Sequence, residues 1–268
     1  YRSNKVVFDE DEFRNVGTFL FVNDGDELGV WTLEFEEGLK SALTEKTAGD
    51  FAGSAGGQLD ELTNRRVNIL GTEYVVTKTE VHGSPTNNQT VITLLGGKVT
   101  DKLGEGDKKT YTVNGKEYNV EVLIVSESNN EILLKVNGEA LPKLRVGETE
   151  PTSDGLLVGL IALYPTAKDT QSSIIELAIG TTKLVFKDNV YDAAKGLGDS
   201  STYTRGGLTV NNEVIEDDSV RINLNPVGNS NSSWVLSDIK VNISANGLVG
   251  DIFVPPGHGV REYLNEPT

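Results

Sequence analysis

Sulfur is missing from this chain: its 268 residues include no cysteine and no methionine, and histidine occurs only twice. Without cysteine there is no disulfide and no thiol chemistry, and a zinc site would depend almost wholly on carboxylates. Because oxidants attack both sulfur side chains, their joint absence favours an exposed, extracellular setting, with chance as the alternative. Since the chain begins at Tyr1 and lacks methionine, we expect a processed product or an excerpt.

Positive charge and long apolar runs are also scarce. The chain has 40 acidic and 24 basic residues, a net charge of -16 and a sequence pI near 4.6. Its long-range field repels polyanions, which argues against nucleic acid or anionic membranes as partners. No apolar stretch is long enough to cross a bilayer, so the sequence predicts no direct membrane insertion. The acidic surface either attracts cations or is simply well solvated.

Motifs for catalysis are absent as well. There is no Gly-x-Ser-x-Gly nucleophile elbow, and the glycine-bearing stretch 49–57 lacks the Lys-Ser/Thr ending of a phosphate loop. The sequence therefore predicts a protein that is not an enzyme. A hydrolase with two acidic catalytic residues is the alternative that any acidic β-protein leaves open, although nothing singles out two of the 40 carboxylates.

Acidic clusters are the one lead toward a bound ion. Asn23–Glu27 alternates Asn, Asp and Gly much as a calcium loop does, although it lacks the length and closing glutamate of one. A second cluster is Glu216-Asp217-Asp218. The candidate calcium ligands are Asp24, Asp26, Asp217 and Asp218. An ordinary acidic turn is the alternative interpretation of each cluster.

Three Asn-x-Ser/Thr sequons make this a candidate glycoprotein. Asn88 and Asn231 lie in polar, turn-like stretches, where a glycan would bury no polar atoms. Asn242 lies within an expected strand and would have to face outward to carry a glycan.

Tight turns and β-rich runs alternate along almost the whole chain. The clearest case is KTYTVNGKEYNVEVLIV, residues 109–125, in which Asn114-Gly115 predicts a two-residue hairpin loop with Tyr111 opposite Tyr118. Trp31 and Trp234 each lie in an apolar strand run, which predicts packing in the core. We therefore predict an all-β chain of hairpin-rich, immunoglobulin-like β-sandwich domains.

Residues 36–64 interrupt this alternation and predict a short helical and loop insertion, with the helix at Glu36–Lys46. Glycine-rich stretches near 96–106 and 189–207 indicate domain boundaries. The predicted units are a β domain at 1–100, a second sandwich at 101–190, and a linker with further strands at 191–268. In the preferred arrangement the second unit is inserted, and the N- and C-terminal thirds complete the first.

A series of segments resembles archaeal surface-layer proteins of small-genome, often cell-attached lineages. The segments are NILGTEYVV (68–76), VITLLGGKVTDKL (91–103), KTYTVNGKEYNVEV (109–122), LLKVNGEALPKL (133–144) and IELAIGTTKLVFKDN (175–189). The likeness covers about residues 17–255, apart from 151–173, which departs from it. It implies a secreted, β-rich structural subunit that packs with copies of itself into a coat on the cell surface. It supplies no catalytic residues.

Alternatives from other classes remain open: a carbohydrate-binding or adhesin module, or a viral structural protein. An adhesin module should show a cluster of exposed aromatic side chains on one sheet face. A viral coat is not distinguishable from a cellular coat by composition.

Overall fold

The computed structural model describes residues 4–7, 20–23, 26–44, 57–84, 87–96, 99–165, 173–188, 191–192, 196–197, 207–215, 219–227, 233–245, 252–259 and 262–263. Within these ranges the chain is almost entirely β-strand, and every strand pair is antiparallel. The prediction of an all-β, sandwich-like fold is confirmed.

The strands are numbered in chain order. The first eight are β1 (Asn4–Val7), β2 (Leu20–Val22), β3 (Glu27–Thr44), β4 (Gly57–Leu59), β5 (Arg66–Ile69), β6 (Thr72–Ser84), β7 (Asn87–Gly96) and β8 (Val99–Gly104). The next eight are β9 (Lys108–Val113), β10 (Lys116–Ser126), β11 (Glu131–Val136), β12 (Glu139–Ala140), β13 (Leu144–Arg145), β14 (Thr149–Pro151), β15 (Leu157–Tyr164) and β16 (Ile174–Gly180). The remaining strands are β17 (Thr182–Lys187), β18 (Tyr191–Asp192), β19 (Gly196–Leu197), β20 (Gly207–Val210), β21 (Glu213–Ile215), β22 (Ser219–Pro226), β23 (Ser233–Ser244) and β24 (Ile252–Val254). A 3-10 turn covers Asp60–Leu62.

An 11-stranded sheet contains strands from both ends of the chain. Its order is β21-β20-β17-β7-β6-β4-β3-β23-β22, with β1 paired to β3 and β5 paired to β6. The sheet curls so that its two halves face each other across one core, in which the Trp31 ring stacks on Phe186 with centroids 6.0 Å apart. Trp31 is 6% and Trp234 1% exposed, which confirms the prediction that both tryptophans pack in the core.

The curl brings strands far apart in the sheet order into contact. β17 and β20 contact β22, and the Ile222 amide donates a hydrogen bond of 3.0 Å to Oδ1 of the buried Asp188, just after β17. The main chain of Asp188 is itself bound to β7, because the Asp188 amide donates a hydrogen bond of 2.8 Å to the Thr90 carbonyl. A single residue thus ties the last strand of the sheet to its middle.

A second core lies between two smaller sheets formed by residues 99–180. One has the order β12-β11-β10-β9, with β13 paired to β11, and the other has the order β14-β15-β16-β8. Their facing side chains, such as Val120, Leu134, Leu160 and Leu177, form one buried cluster. We call this unit the inserted sandwich; the predicted domain limits at 100 and 190 stay a prediction.

Two strands cross side by side between the large sheet and the inserted sandwich. β7 pairs with β17 in the large sheet, and β8 pairs with β16 in the inserted sandwich. Only residues 97–98 separate β7 from β8, and only Thr181 separates β16 from β17, where its amide donates to the Gly96 carbonyl at 3.1 Å. The connection is therefore a nearly continuous two-stranded ribbon, and the glycine-rich boundary expected at 96–106 contains β8.

The hairpin at residues 109–125 has the predicted register. Tyr111 lies opposite Tyr118, and Val113 lies opposite Lys116. Asn114 and Gly115 both have positive φ, 50° and 80°, as a two-residue type I′ loop requires. Both tyrosines are buried in the second core, so this segment is a structural element of the inserted sandwich.

The helix predicted at Glu36–Lys46 is wrong over the described part of that segment, because β3 continues to Thr44. Ser41 and Leu39 pair with Trp234 and Leu236 of β23. Between the pairs Glu34–Asp238 and Leu39–Leu236, four residues of β3 face one of β23, and Gly38 supplies a φ of +67° there. Tertiary pairing thus overrides the local helical spacing, and the bulge absorbs the extra residues.

Acid is expected to weaken the inserted sandwich through Asp101. The hydrogen bond from the Lys109 ammonium, helped by those from the Lys102 amide and the Tyr111 hydroxyl, holds the pKa of this carboxyl below its ordinary value of 3.8. Its stabilising contribution is therefore present above the ordinary pKa and is lost as the pH falls through the folded value. In thermal unfolding between about pH 5 and pH 2, the melting temperature of Asp101→Asn should start lower and fall less steeply.

The control for this measurement is Glu213→Gln. Glu213 is exposed and makes no side-chain hydrogen bond or ion pair with a described residue. Its variant should follow the wild-type curve. A slope for Asp101→Asn equal to that of wild type would contradict the role given to Asp101.

Candidate functional site

Both faces of the central strands of the large sheet are covered. Leu94 and Val76 point into the large-sheet core, whereas their neighbours Leu95 and Val75 point the other way, toward the inserted sandwich. There they meet Leu157, Ile161 and Ala178 in a separate buried cluster, which we call the joint. The joint and the ribbon together fix the position of the inserted sandwich on the large sheet.

Polar contacts continue the joint at one edge. The buried carboxylate of Glu176 accepts hydrogen bonds from Asn64 Nδ2 at 2.9 Å and from the Tyr164 hydroxyl at 2.7 Å. The Lys102 ammonium lies 4.7 Å from the centroid of the Tyr164 ring. The hydrogen bond to Glu176, with partial burial, raises the pKa of Tyr164 to about 12, so the ring carries a neutral hydroxyl over the physiological range.

A cleft of about 1040 Å³ opens beside the joint, between the large sheet and the inserted sandwich. Its large-sheet wall comprises Gln58, Asp60, Thr63, Asn64, Lys78 and Glu80. The opposite wall includes Asn129, Asn130, Arg145, Glu148 and Tyr164, with an apolar strip at 161–163. The cleft is thus a polar concavity with one aromatic side chain at its edge.

A tight turn at 145–148 shapes the inserted wall of the cleft. Glu148 Oε2 accepts a hydrogen bond of 2.9 Å from the Arg145 amide, and the Gly147 amide donates to the Leu160 carbonyl at 2.7 Å. Gly147 has a φ of +88°, and a Cβ there would lie 3.0 Å from Lys78 Cγ. Glycine is thus favoured both by the backbone angle and by the close approach to Lys78.

The charged groups of the cleft are largely balanced. Lys78 and Glu80 form an ion pair of 2.6 Å with side chains 29% and 22% exposed. Counting the lining residues gives three carboxylates, Asp60, Glu80 and Glu148, against two cations, Lys78 and Arg145. The local charge is therefore near neutral, although the whole chain carries -16.

Of the predicted calcium ligands, only Asp26 falls within the described residues. Its Oδ2 accepts hydrogen bonds from the Asn23 amide at 2.7 Å and from Asn23 Nδ2 at 2.9 Å, so it closes the turn before β3. Asp24, Asp217 and Asp218 lie outside the described residues. Across the described ranges no three His, Asp or Glu side chains gather as metal ligands. The calcium site stays a prediction.

Two of the three sequon asparagines lie within the described residues. Asn242 lies on β23, is partly exposed, and donates from Nδ2 to Glu27 Oε2 at 3.2 Å. Asn88 lies on β7 opposite Gly83, and Asn231 is outside the described residues. Glycosylation at the three positions stays a prediction.

None of the helices in the described residues has the length and apolar character that crossing a membrane requires. No protein-family model matches this chain, and no curated protein or solved structure matches it significantly. The likeness to surface-layer proteins therefore remains a resemblance carried by the sequence segments alone.

Sequence reasoning missed the cleft. Its walls combine residues 58–80 with residues 129–164, and no local motif links these two stretches. One signal does point to the joint beneath it. Paired apolar residues such as Val75-Val76 and Leu94-Leu95 break the alternation of a half-exposed strand, which is typical of a strand covered on both faces.

Proposed function

We propose that this chain is a structural subunit of an extracellular, self-assembling coat whose partners are copies of itself. The observation that carries the proposal is the ribbon that joins the large sheet to the inserted sandwich. A coat subunit must hold its contact surfaces in fixed relative positions, because each surface meets a different neighbour in an open array. A flexible linker would leave that geometry undefined and would add an entropic cost to assembly.

The joint supports the same interpretation. A ribbon alone could bend. The angle between the large sheet and the inserted sandwich is fixed by the five buried side chains of the joint and by the Asn64–Glu176 hydrogen bond. Arg66 adds a hydrogen bond of 2.8 Å to Thr100 Oγ1 near the start of β8. The two units are thus held by covalent, apolar and polar contacts in one place.

Sheet edges offer the means of assembly. Among the described strands, β21 and β22 end the large sheet, and β14 and β12 each pair on one side only. An antiparallel edge can accept a strand from a neighbouring copy through its main-chain hydrogen bonds. Such contacts need no dedicated pocket and no catalytic group, in line with the prediction that the protein is not an enzyme.

The extracellular location and the use of calcium belong to the same proposal. The lack of cysteine and methionine suits a protein exposed to oxidants. Neighbouring copies with a net charge of -16 repel one another, and salt screens this repulsion only beyond about 10 Å at 0.1 M. Calcium ions shared between acidic loops would lower the repulsion locally, with Asp24, Asp26, Asp217 and Asp218 as the candidate ligands.

Purified protein with its native flanking sequence should form ordered sheets or tubes in calcium, visible by negative-stain electron microscopy, and chelation should disperse them. Changing the four candidate aspartates to asparagine should abolish the calcium effect. The control changes Glu36, Glu37, Glu117 and Glu213 to glutamine; both variants bring the charge from -16 to -12, since -16 plus 4 is -12. Persistent monomers at high concentration in calcium would refute the coat, and equal effects of both variants would refute the ligand assignment.

A further inference from the structure

Several polar side chains of the cleft make no side-chain hydrogen bond within the part of the chain that the structure describes. The amides of Gln58 and Asn130, the Thr63 hydroxyl and the Arg145 guanidinium line the cleft and make no side-chain hydrogen bond with a described residue. They come from both walls, so their donors and acceptors surround one volume. Small-ligand sites are concave, and a few convergent polar groups in them fix the orientation of the ligand.

The charge balance selects the chemistry of the ligand. Lys78 is already paired with Glu80, and the remaining cation, Arg145, shares its turn with Glu148. A phosphate or a metal ion would require an excess of one sign, whereas three carboxylates and two cations nearly cancel. Planar amides and a hydroxyl are groups that recognise a neutral molecule through directed hydrogen bonds.

Tyr164 adds an apolar surface at the rim. Its side chain is 41% exposed, its hydroxyl is held by Glu176, and the apolar strip at 161–163 continues from it into the cleft. The Lys102 ammonium lies against the ring, but Lys102 does not line the cleft. The part of the ring that faces the cleft therefore remains available to a ligand. A sugar ring has an apolar C–H face that packs on an aromatic ring and hydroxyl groups that bind amides.

We propose that the cleft between the large sheet and the inserted sandwich binds a neutral oligosaccharide, with Tyr164 packing against a sugar ring and Gln58, Thr63, Asn130 and Arg145 binding its hydroxyls. The volume of about 1040 Å³ lies at the upper end of small-ligand sites, which favours several sugar rings over one. Binding at this site is independent of the coat: saccharide binding is measured on soluble protein, and assembly by microscopy, so either result can fail alone.

The test is a titration of the soluble chain with cellotriose, mannotriose, maltotriose and triacetylchitotriose, read by saturation-transfer NMR and calorimetry. At least one probe should bind saturably, and Tyr164→Ala should weaken that probe by at least about tenfold. Gln58→Ala and Asn130→Ala should each weaken it by about two- to twelvefold, the range for one hydrogen bond. Tyr164→Phe, which keeps the ring, should lose much less than Tyr164→Ala.

The matched control is Tyr263→Ala, because Tyr263 is 38% exposed and lies outside the cleft. Thermal unfolding of each variant separates lost binding from lost folding, and the two wall variants keep the test decisive if Tyr164→Ala is unstable. Absence of saturable binding by all four probes would overturn the proposal. Saccharide binding that the cleft variants leave unchanged would also overturn it. So would NMR signals of cleft residues that shift only with protein concentration, because that result would assign the cleft to a second copy of the chain.

Discussion

Leu95→Ala should lower the free energy of unfolding by about 2–5 kcal/mol and separate the unfolding of the two units. Leu95 is fully buried at the centre of the joint, where its Cδ2 lies 3.5 Å from the position of a Cβ built on Gly159. Alanine would leave a cavity between two rigid sheets, neither of which can move inward while the ribbon fixes their spacing. Differential scanning calorimetry should show one cooperative transition for the wild type and a broader or divided one for the variant.

Two other leucine variants serve as controls for the effect of Leu95→Ala. Leu70→Ala alters a side chain that is 70% exposed and should leave stability within about 0.5 kcal/mol of wild type. Leu94→Ala removes the same atoms from the neighbouring residue, which faces the large-sheet core, and should destabilise that core without dividing the transition at the joint. If Leu95→Ala and Leu94→Ala gave the same profile, the joint would not be what couples the units.

Asp188→Ala should lower the free energy of unfolding by about 2–3 kcal/mol and expose β22 to solvent exchange. The carboxylate is 8% exposed and accepts the Ile222 amide at 3.0 Å, so its removal leaves a buried donor without that acceptor. A hydrogen bond to a charged group is worth more than a neutral one, and the desolvation cost of the stranded amide adds to the loss. Hydrogen exchange should accelerate at the Ile222 amide and along β22.

Asp188→Asn is the conservative variant, because its amide oxygen can still accept the Ile222 hydrogen bond, and it should lose less stability than Asp188→Ala. Asp238→Ala is the matched surface control. Asp238, on β23, is half-buried and accepts a hydrogen bond of 3.1 Å from Asn223 Nδ2 of β22 that lies at the protein surface. Its loss should cost less than about 1 kcal/mol. Equal exchange rates along β22 in wild type and Asp188→Ala would show that Asp188 does not close the sheet.

The Asp188 contact also affects which sheet edges are open to the strand addition proposed between copies of the chain. The Ile222 amide of β22 points away from β23 and is already bound by Asp188. β22 is therefore partly blocked for strand addition, as edges commonly are in proteins that must avoid uncontrolled pairing. Releasing β22 by Asp188→Ala should accordingly increase irregular aggregation more than ordered assembly.

Some features of the site could be predicted in part from the sequence. The calcium candidates were found from acidic spacing, and Asp26 does lie in a tight turn, but the described structure uses its carboxylate to bind Asn23. The cleft was not foreseeable from spacing at all, because its two walls come from residues 58–80 and 129–164, which are far apart in the sequence. Spacing identifies ligands only when one short segment supplies most of them.

The sequence by itself determined the local β-structure. Asn114-Gly115 set both the turn and the register of its hairpin, because few residue pairs tolerate positive φ at both positions. The apolar residues around Trp31 and Trp234 in the sequence likewise determined their burial, because removing a large apolar ring from water is strongly favourable.

Only the tertiary structure decided which strands pair at long range and where the two units meet. The segment 36–44 became a strand because β23 lies beside it and supplies the hydrogen-bond partners, a fact that its own residues do not encode. The joint and the cleft arose in the same way, because antiparallel sheets leave faces and edges that can be covered by any segment of suitable shape. Local propensities act within a few residues, whereas the contacts that made the ribbon, the joint and the cleft depend on packing surfaces built from the whole chain.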